Sequence, residues 1–108
     1  RAPLPVEVGE MPDDRLPEPV EAAAYYVVAE SLTNVARYSE ASRAKVDITR
    51  ENGMVRIRIA DDGVGGADPA RGSGLKGLAD RIAALDGHFM LASPDGLGTI
   101  VEAEIPCG

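Results

Sequence analysis

The sequence predicts an α/β (α+β) two-layer sandwich, a mixed and largely antiparallel sheet with helices on one face only. Two runs alternate strictly, Ala44-Lys45-Val46-Asp47-Ile48 and Val55-Arg56-Ile57-Arg58-Ile59, with Asn52-Gly53 between them. That is the pattern of a β-hairpin with a two-residue turn, apolar on one side and charged on the other. A wet charged face leaves room for helices on the opposite face alone. Two segments with helical period, Val20 to about Tyr38 and Leu75 to Asp86, supply that second layer.

The elements follow in chain order. Residues 1–19 carry five of the eight prolines, and Pro5-Val6-Glu7-Val8 forms a short edge strand within this entry segment. In the first helix, Val20, Ala24, Val28, Ser31, Leu32 and Val35 fall on one arc of a 3.6-residue period, which is the expected buried stripe. Glu18 and Glu21 lie at its start, where they favour the helix dipole. Glu30, Asn34 and Arg37 share a second arc bordering that stripe. After the hairpin, residues 61–74 are rich in glycine and poor in apolar side chains, and form a loop. Leu75, Leu78, Ile82 and Leu85 face the core from the second helix, with Gly87 as a stop. Phe89-Met90-Leu91 and Thr99 to Ile105 close the sheet around Pro94-Asp95-Gly96.

The 108 residues fit one domain, 1–108, of ordinary globular composition, with 44% hydrophobic and 27% charged residues. Starting at Arg1, the chain reads as a fragment of something longer. A net charge of −7, from 18 acidic and 11 basic residues without a basic run, argues against nucleic acid and against direct membrane contact. No apolar stretch approaches the roughly 20 residues of a spanning helix. The single Cys107 permits no internal disulfide, so a cytoplasmic setting is expected, with a membrane-anchored parent protein compatible with it.

Three polar stations carry the chemistry. Asp61 ends an apolar strand and runs into Asp62-Gly63-Val64-Gly65-Gly66. A carboxylate there can accept a hydrogen bond from an exocyclic amine, and the glycines let backbone approach a flat ring. The plain alternative is an acidic surface turn. Glu30 and Asn34 lie one turn apart. An amide oxygen suits magnesium, and the carboxylate can act as a base or orient a hydroxyl, although such a pair is also what a solvated helix face looks like. Gly72-Ser73-Gly74-Leu75-Lys76-Gly77-Leu78 opens the second helix, where free N–H groups beside Ser73 and Lys76 can cradle phosphate, or merely cap the helix after a flexible loop. There is no Gly-x-x-x-x-Gly-Lys-Ser/Thr, and no Gly-x-Gly-x-x-Gly placed in a parallel βαβ unit.

Together the stations resemble the GHKL superfamily (gyrase, Hsp90, histidine kinase and MutL-type ATPases), whose ATP site is the Bergerat fold. Ala29-Glu30-Ser31-Leu32-Thr33-Asn34-Val35-Ala36-Arg37-Tyr38 looks like the N box, Asp61-Asp62-Gly63-Val64-Gly65 the G1 box, and Gly72 to Leu78 the G2 box, with Gly98-Thr99 also matching. The Glu-Ser-Leu-Thr-Asn wording and Gly-Leu-Lys-Gly-Leu-x-x-Arg, ending at Arg81, look most like sensor histidine kinases of the NarX/DesK type. The resemblance implies that Asp61 binds the adenine amino group, with Thr99 supporting it through water. It implies magnesium on Asn34, and Arg37, Tyr38 and Lys76 near ribose or phosphates. Gly63, Gly65, Gly72, Gly74 and Leu75 would shape the pocket and its short lid, Ala67 to Arg71. Glu30 would be the catalytic residue, activating water in hydrolysing relatives and assisting the accepting histidine in kinases. Tyr38 stands where many relatives carry His.

The resemblance therefore implies the ATP-binding catalytic domain of a two-component sensor histidine kinase. Its cofactors would be ATP and Mg2+, its direct partner a dimerisation domain bearing the phosphoacceptor histidine, and its indirect partner a response regulator. The one histidine, His88, begins a strand and is not in a phosphoacceptor setting, so this chain should bind ATP without phosphorylating itself. An anti-sigma-factor serine kinase shares the same boxes, and a catalytically degenerate protein-interaction module of the same fold is the alternative from another class.

Overall fold

The computed structural model describes residues 4–67 and 74–107. Strand β1 (Val6–Val8) leads to helix α1 (Glu18–Asn34), which continues as a π-helical turn, Val35–Ser39. Strands β2 (Ala44–Glu51) and β3 (Met54–Asp61) follow, then α2 (Leu75–Ala83), β4 (His88–Ala92) and β5 (Thr99–Pro106). The sheet order is β1-β2-β3-β5-β4, with β1 parallel to β2 and every other pairing antiparallel. Both helices pack on the same face, as the wet charged face requires.

The hairpin turns at Asn52 and Gly53, with φ of 53° and 76°. Positive φ at both central residues matches the right-handed twist of the flanking strands, which is why Asn-Gly holds the turn. It sets Ile57 opposite Ile48 and Ile59 opposite Val46. On the far side, Val55, Ile57 and Ile59 meet Ile105, Ala103 and Val101 of β5. These side chains face the helices, where Val20, Ala23, Ala24 and Val27 of α1 and Leu75, Leu78 and Ile82 of α2 complete the core. The outer face carries registered charge pairs, Arg56 with Glu104 across β3–β5 and Lys45 with Glu7 across β1–β2.

Three details differ from the sequence pattern. The buried stripe of α1 is centred on Ala23 and Val27, while Val28 and Leu32 sit half-buried at its margin. The helix also widens after Asn34, so the side chains there depart from a continued 3.6-residue arc. Glu30 and Asn34 lie in the α-helical part and Arg37 in the π-helical turn. The second helix ends at Ala83, with the Gly87 N–H bonded to the Ile82 carbonyl at 3.0 Å in the closing turn.

The loop after the π-turn is tied to the sheet by Asp62. One carboxylate oxygen accepts the Ser42 and Arg43 N–H groups at 2.8 and 3.1 Å, and the other accepts the Ser42 hydroxyl. These donors, the Ser42 hydroxyl foremost, hold the Asp62 carboxyl below the usual carboxylate range. A carboxylate depressed in the folded state stabilises above its unfolded pKa, about 4, and loses that contribution as pH falls through the folded value.

Two predictions follow from this framework. Leu78 is 0% exposed and Val8 is 60% exposed. Leu78→Ala should lower unfolding free energy by about 2–5 kcal/mol in urea titration, and Val8→Ala by less than about 0.5 kcal/mol. The stability gap between the native chain and Asp62→Ala should be full at pH 6 and close as pH drops below about 4. A gap unchanged at pH 3, measured by thermal unfolding, would remove the carboxylate as its source.

Candidate functional site

The site lies at one end of the sheet, and the pairing register builds it. Ala44, Asp61 and Thr99 stand side by side across β2, β3 and β5. Only residues 35–43 separate Asn34 from Ala44, so the C-terminal end of α1 is returned to that same end. The Asp62 clasp on Ser42 and Arg43 fixes the return.

Asp61 is half-buried, and its Oδ1 accepts the Gly63 N–H at 2.8 Å. Burial pushes its carboxyl above the ordinary range, opposed by the N–H groups of Gly63 and Thr99 and assisted slightly by the neighbouring Asp62 charge. A carboxyl raised in the folded state binds protons more readily when folded. Ionised Asp61 is thus a cost to stability as pH rises through its folded value.

Glu30, from the last turns of α1, meets Gly74, the residue that caps the start of α2. Gly74 has φ of 87°, and its missing side chain leaves the space that the Glu30 carboxylate occupies. Any Cβ at position 74 would collide with Glu30 Oε1. The Glu30/Asn34 station therefore meets the glycine-rich station at Gly74, with a carboxylate at a helix N-terminus, where the dipole favours it. The N–H groups of Leu75, Lys76 and Gly77 open this helix and have no intrahelical acceptor. The Leu75 side chain is buried in the core, so its backbone is what it can offer a ligand. Lys76 is exposed and bonded to Asp80 at 3.1 Å along the same helix.

Asn34 is the group that asks for a ligand. Its Nδ2 is buried and has no hydrogen-bond partner among the described residues, and the same holds for the hydroxyl of Ser31 one turn earlier, itself 2% exposed. Buried polar atoms are nearly always paired, and the two ends of an amide exchange by rotation, so Asn34 can present its oxygen to a cation. Once the amide turns, the Asn34 oxygen is a hard donor of the kind magnesium takes beside phosphates. Arg37 is exposed on the π-turn, and Tyr38 follows it in the backbone. Gly72 and Ser73 of the third station, and the lid residues beyond Ala67, lie outside the described residues.

Two ties had no signal in the sequence. Arg81 of α2 stacks over the Tyr26 ring of α1 at 3.9 Å from its centroid. Ser93, before the β4–β5 turn, bonds to both Ala67 and Thr99. Neither has a local pattern, because the partners are distant in the chain. His88 is exposed at the start of β4. Among the described residues, no helix is long and apolar enough to cross a membrane.

Comparison with known proteins agrees with this fold. Residues 20–108 match the family described as "Histidine kinase-, DNA gyrase B-, and HSP90-like ATPase". The sensor histidine kinase LiaS of Bacillus subtilis (strain 168) is 29% identical over 98% of this chain and 30% of its own length. The oxygen sensor histidine kinase NreB of Staphylococcus carnosus is 31% identical over 85% of this chain and 28% of its own. The chain thus spans about a third or less of these relatives. The histidine kinase domain of the Erythrobacter litoralis EL346 blue-light activated histidine kinase superposes with a TM-score of 0.81 at 24% identity, covering 99% of this chain and 53% of that one. The ATP binding domain of PrrB from Mycobacterium tuberculosis gives 0.68 at 19%, covering 97% and 81%. At these identities the structures speak for the fold, a five-stranded sheet under two helices, and the family match speaks for descent. The chain belongs to the histidine kinase-, DNA gyrase B- and HSP90-like ATPase family, as a nucleotide-binding domain homologous to the catalytic ATP-binding domains of sensor histidine kinases.

Proposed function

We propose that this chain is a single catalytic domain of a two-component sensor histidine kinase, positioning Mg-ATP for phosphoryl transfer to a histidine on a separate dimerisation domain. The observation that carries the reading is the Glu30 carboxylate seated against Gly74 at the start of α2. An Asn34 amide nitrogen buried without a partner among the described residues and a half-buried Asp61 at the end of β3 support it. The homology to sensor histidine kinases supports this reading over a serine kinase or a degenerate module, and NreB among the relatives supports the NarX/DesK-like subtype. A cytoplasmic location and a response regulator as indirect partner belong to the same proposal.

Asp61 would accept the adenine amino group, with Thr99 beside it in the register. Asn34 would hold magnesium, and the N–H groups of Leu75 to Gly77 would face phosphate, with Arg37, Tyr38, Lys76, Gly63, Gly65, Gly72 and Gly74 around them. The ion, when bound, neutralises charge developing on the phosphoryl oxygens. The chain's own part is orientation, which supplies much of the barrier reduction in such transfers. Glu30 would orient the accepting imidazole or take its proton.

Asp61→Asn should weaken Mg-ATP binding by about 10-fold or more in calorimetric titration, since a hydrogen bond to a charged acceptor contributes about 1.5–3 kcal/mol. Its melting temperature without nucleotide should equal or exceed that of the native chain, because a poorly solvated charge is removed. Binding retained by Asp61→Asn would sink the adenine assignment. Glu30→Gln keeps the shape against Gly74, so in the full-length kinase it should bind Mg-ATP nearly as the native protein does while autophosphorylation falls by about 100-fold. Equal phosphorylation rates would remove Glu30 from catalysis.

A further inference from the structure

The turn between β4 and β5 does more than connect two strands. Ser93 opens it, and the Ser93 carbonyl accepts the Gly66 N–H at 2.8 Å. The Ser93 hydroxyl accepts the Ala67 N–H at 2.8 Å and lies 2.6 Å from the Thr99 hydroxyl. The Gly96 N–H bonds to the Val64 carbonyl at 2.5 Å, and Gly65 sits so close to the Pro94 carbonyl that no Cβ could be placed there. Ala67 in turn packs against the hydrophobic core. The glycine turn after Asp61 is therefore held along its length by the segment that leads into Thr99.

Within this clamp, one side chain joins the two halves. The Ser93 hydroxyl accepts the Ala67 N–H and shares a second hydrogen bond with Thr99 Oγ1, in which either hydroxyl can donate. That second bond holds the Thr99 rotamer. Ser93 is half-buried, with no atom in the row of Ala44, Asp61 and Thr99 that forms the pocket end.

We infer that Ser93 is a positioning residue for the nucleotide. It presets the Thr99 hydroxyl at the adenine end and locks the glycine turn Gly63–Ala67 to it, so that both respond as one unit. This role rests on the pocket proposed around Asp61.

The test compares Ser93→Ala, Ser93→Thr, Thr99→Val and the double variant Ser93→Ala/Thr99→Val. Mg-ATP and Mg-ADP affinities are read by calorimetry, and amide hydrogen exchange is read without nucleotide. Ser93→Ala should weaken both nucleotides by about 2- to 10-fold, the range of one neutral hydrogen bond. Ser93→Thr should restore most of that, and the double variant should be no weaker than Thr99→Val, because the two hydroxyls act through one another. The Ala67 amide should exchange faster in Ser93→Ala. The Gly66 amide, bonded to the Ser93 backbone, should not change.

Native affinity in Ser93→Ala, losses that multiply in the double variant, or an unchanged Ala67 amide would each overturn the assignment while leaving the Asp61 pocket intact. If the unmodified chain binds neither nucleotide, the pocket reading itself falls. Ser93 then loses its positioning role even where Ala67 exchange accelerates.

Discussion

The antiparallel register that lines up Ala44, Asp61 and Thr99 is the constraint on which the site depends. Side chains alternate along a strand, so a slip of one residue would send Ile57 and Ile59 to water and Arg56 and Arg58 into the core. The Asn52-Gly53 turn fixes the register on one side of β3 and the apolar match with Val101 and Ala103 fixes it on the other. Asp61 is then left at the last rung of the ladder, where the core ends and ligand-accessible backbone begins. Gly63 and Thr99 can reach its carboxylate only from that place.

The helical layer brings the remaining groups to the same end, and apolar burial decides where it sits. Leu75, Leu78 and Ile82 are all buried under α1 and the sheet, each such side chain contributing about 1.5–3 kcal/mol. The exposed Arg81 guanidinium over Tyr26 adds on the order of 0.5–1 kcal/mol, enough to favour one rotation of α2 but not to place it. With α2 set, Gly74 falls against Glu30, and a glycine is the residue that allows the carboxylate to enter.

Much of this fold was legible because its signals are local. The hairpin is written in a period of two and a turn dipeptide, and α2 in a clear apolar stripe. In α1 the existence of the helix was legible but its rotation was not. Apolar and alanine residues surround much of its circumference, so 3.6-residue spacing could not distinguish the arc of Ala23 and Val27 from that of Val28 and Leu32. The π-turn depends on backbone bonding that side-chain pattern does not report. In the candidate site, Glu30, Asn34 and Asp61 are proposed from residue type and order. The Asp62 and Ser93 ties were not legible, because they join residues 20 and 26 apart with no regular spacing between them.

The energetics of Asp61 connect the fold to selectivity. Burial raises the free energy of its charged form, while the Gly63 and Thr99 N–H groups favour that form and keep it an acceptor. An ionised carboxylate has no proton to donate. In the proposed pocket, an adenine offers its amino group as the donor that Asp61 lacks. A guanine would set a carbonyl oxygen against the carboxylate and leave both unpaired. A buried polar group without a partner costs about 1–3 kcal/mol, so in the proposed pocket this contact would discriminate between the bases by roughly 5- to 150-fold.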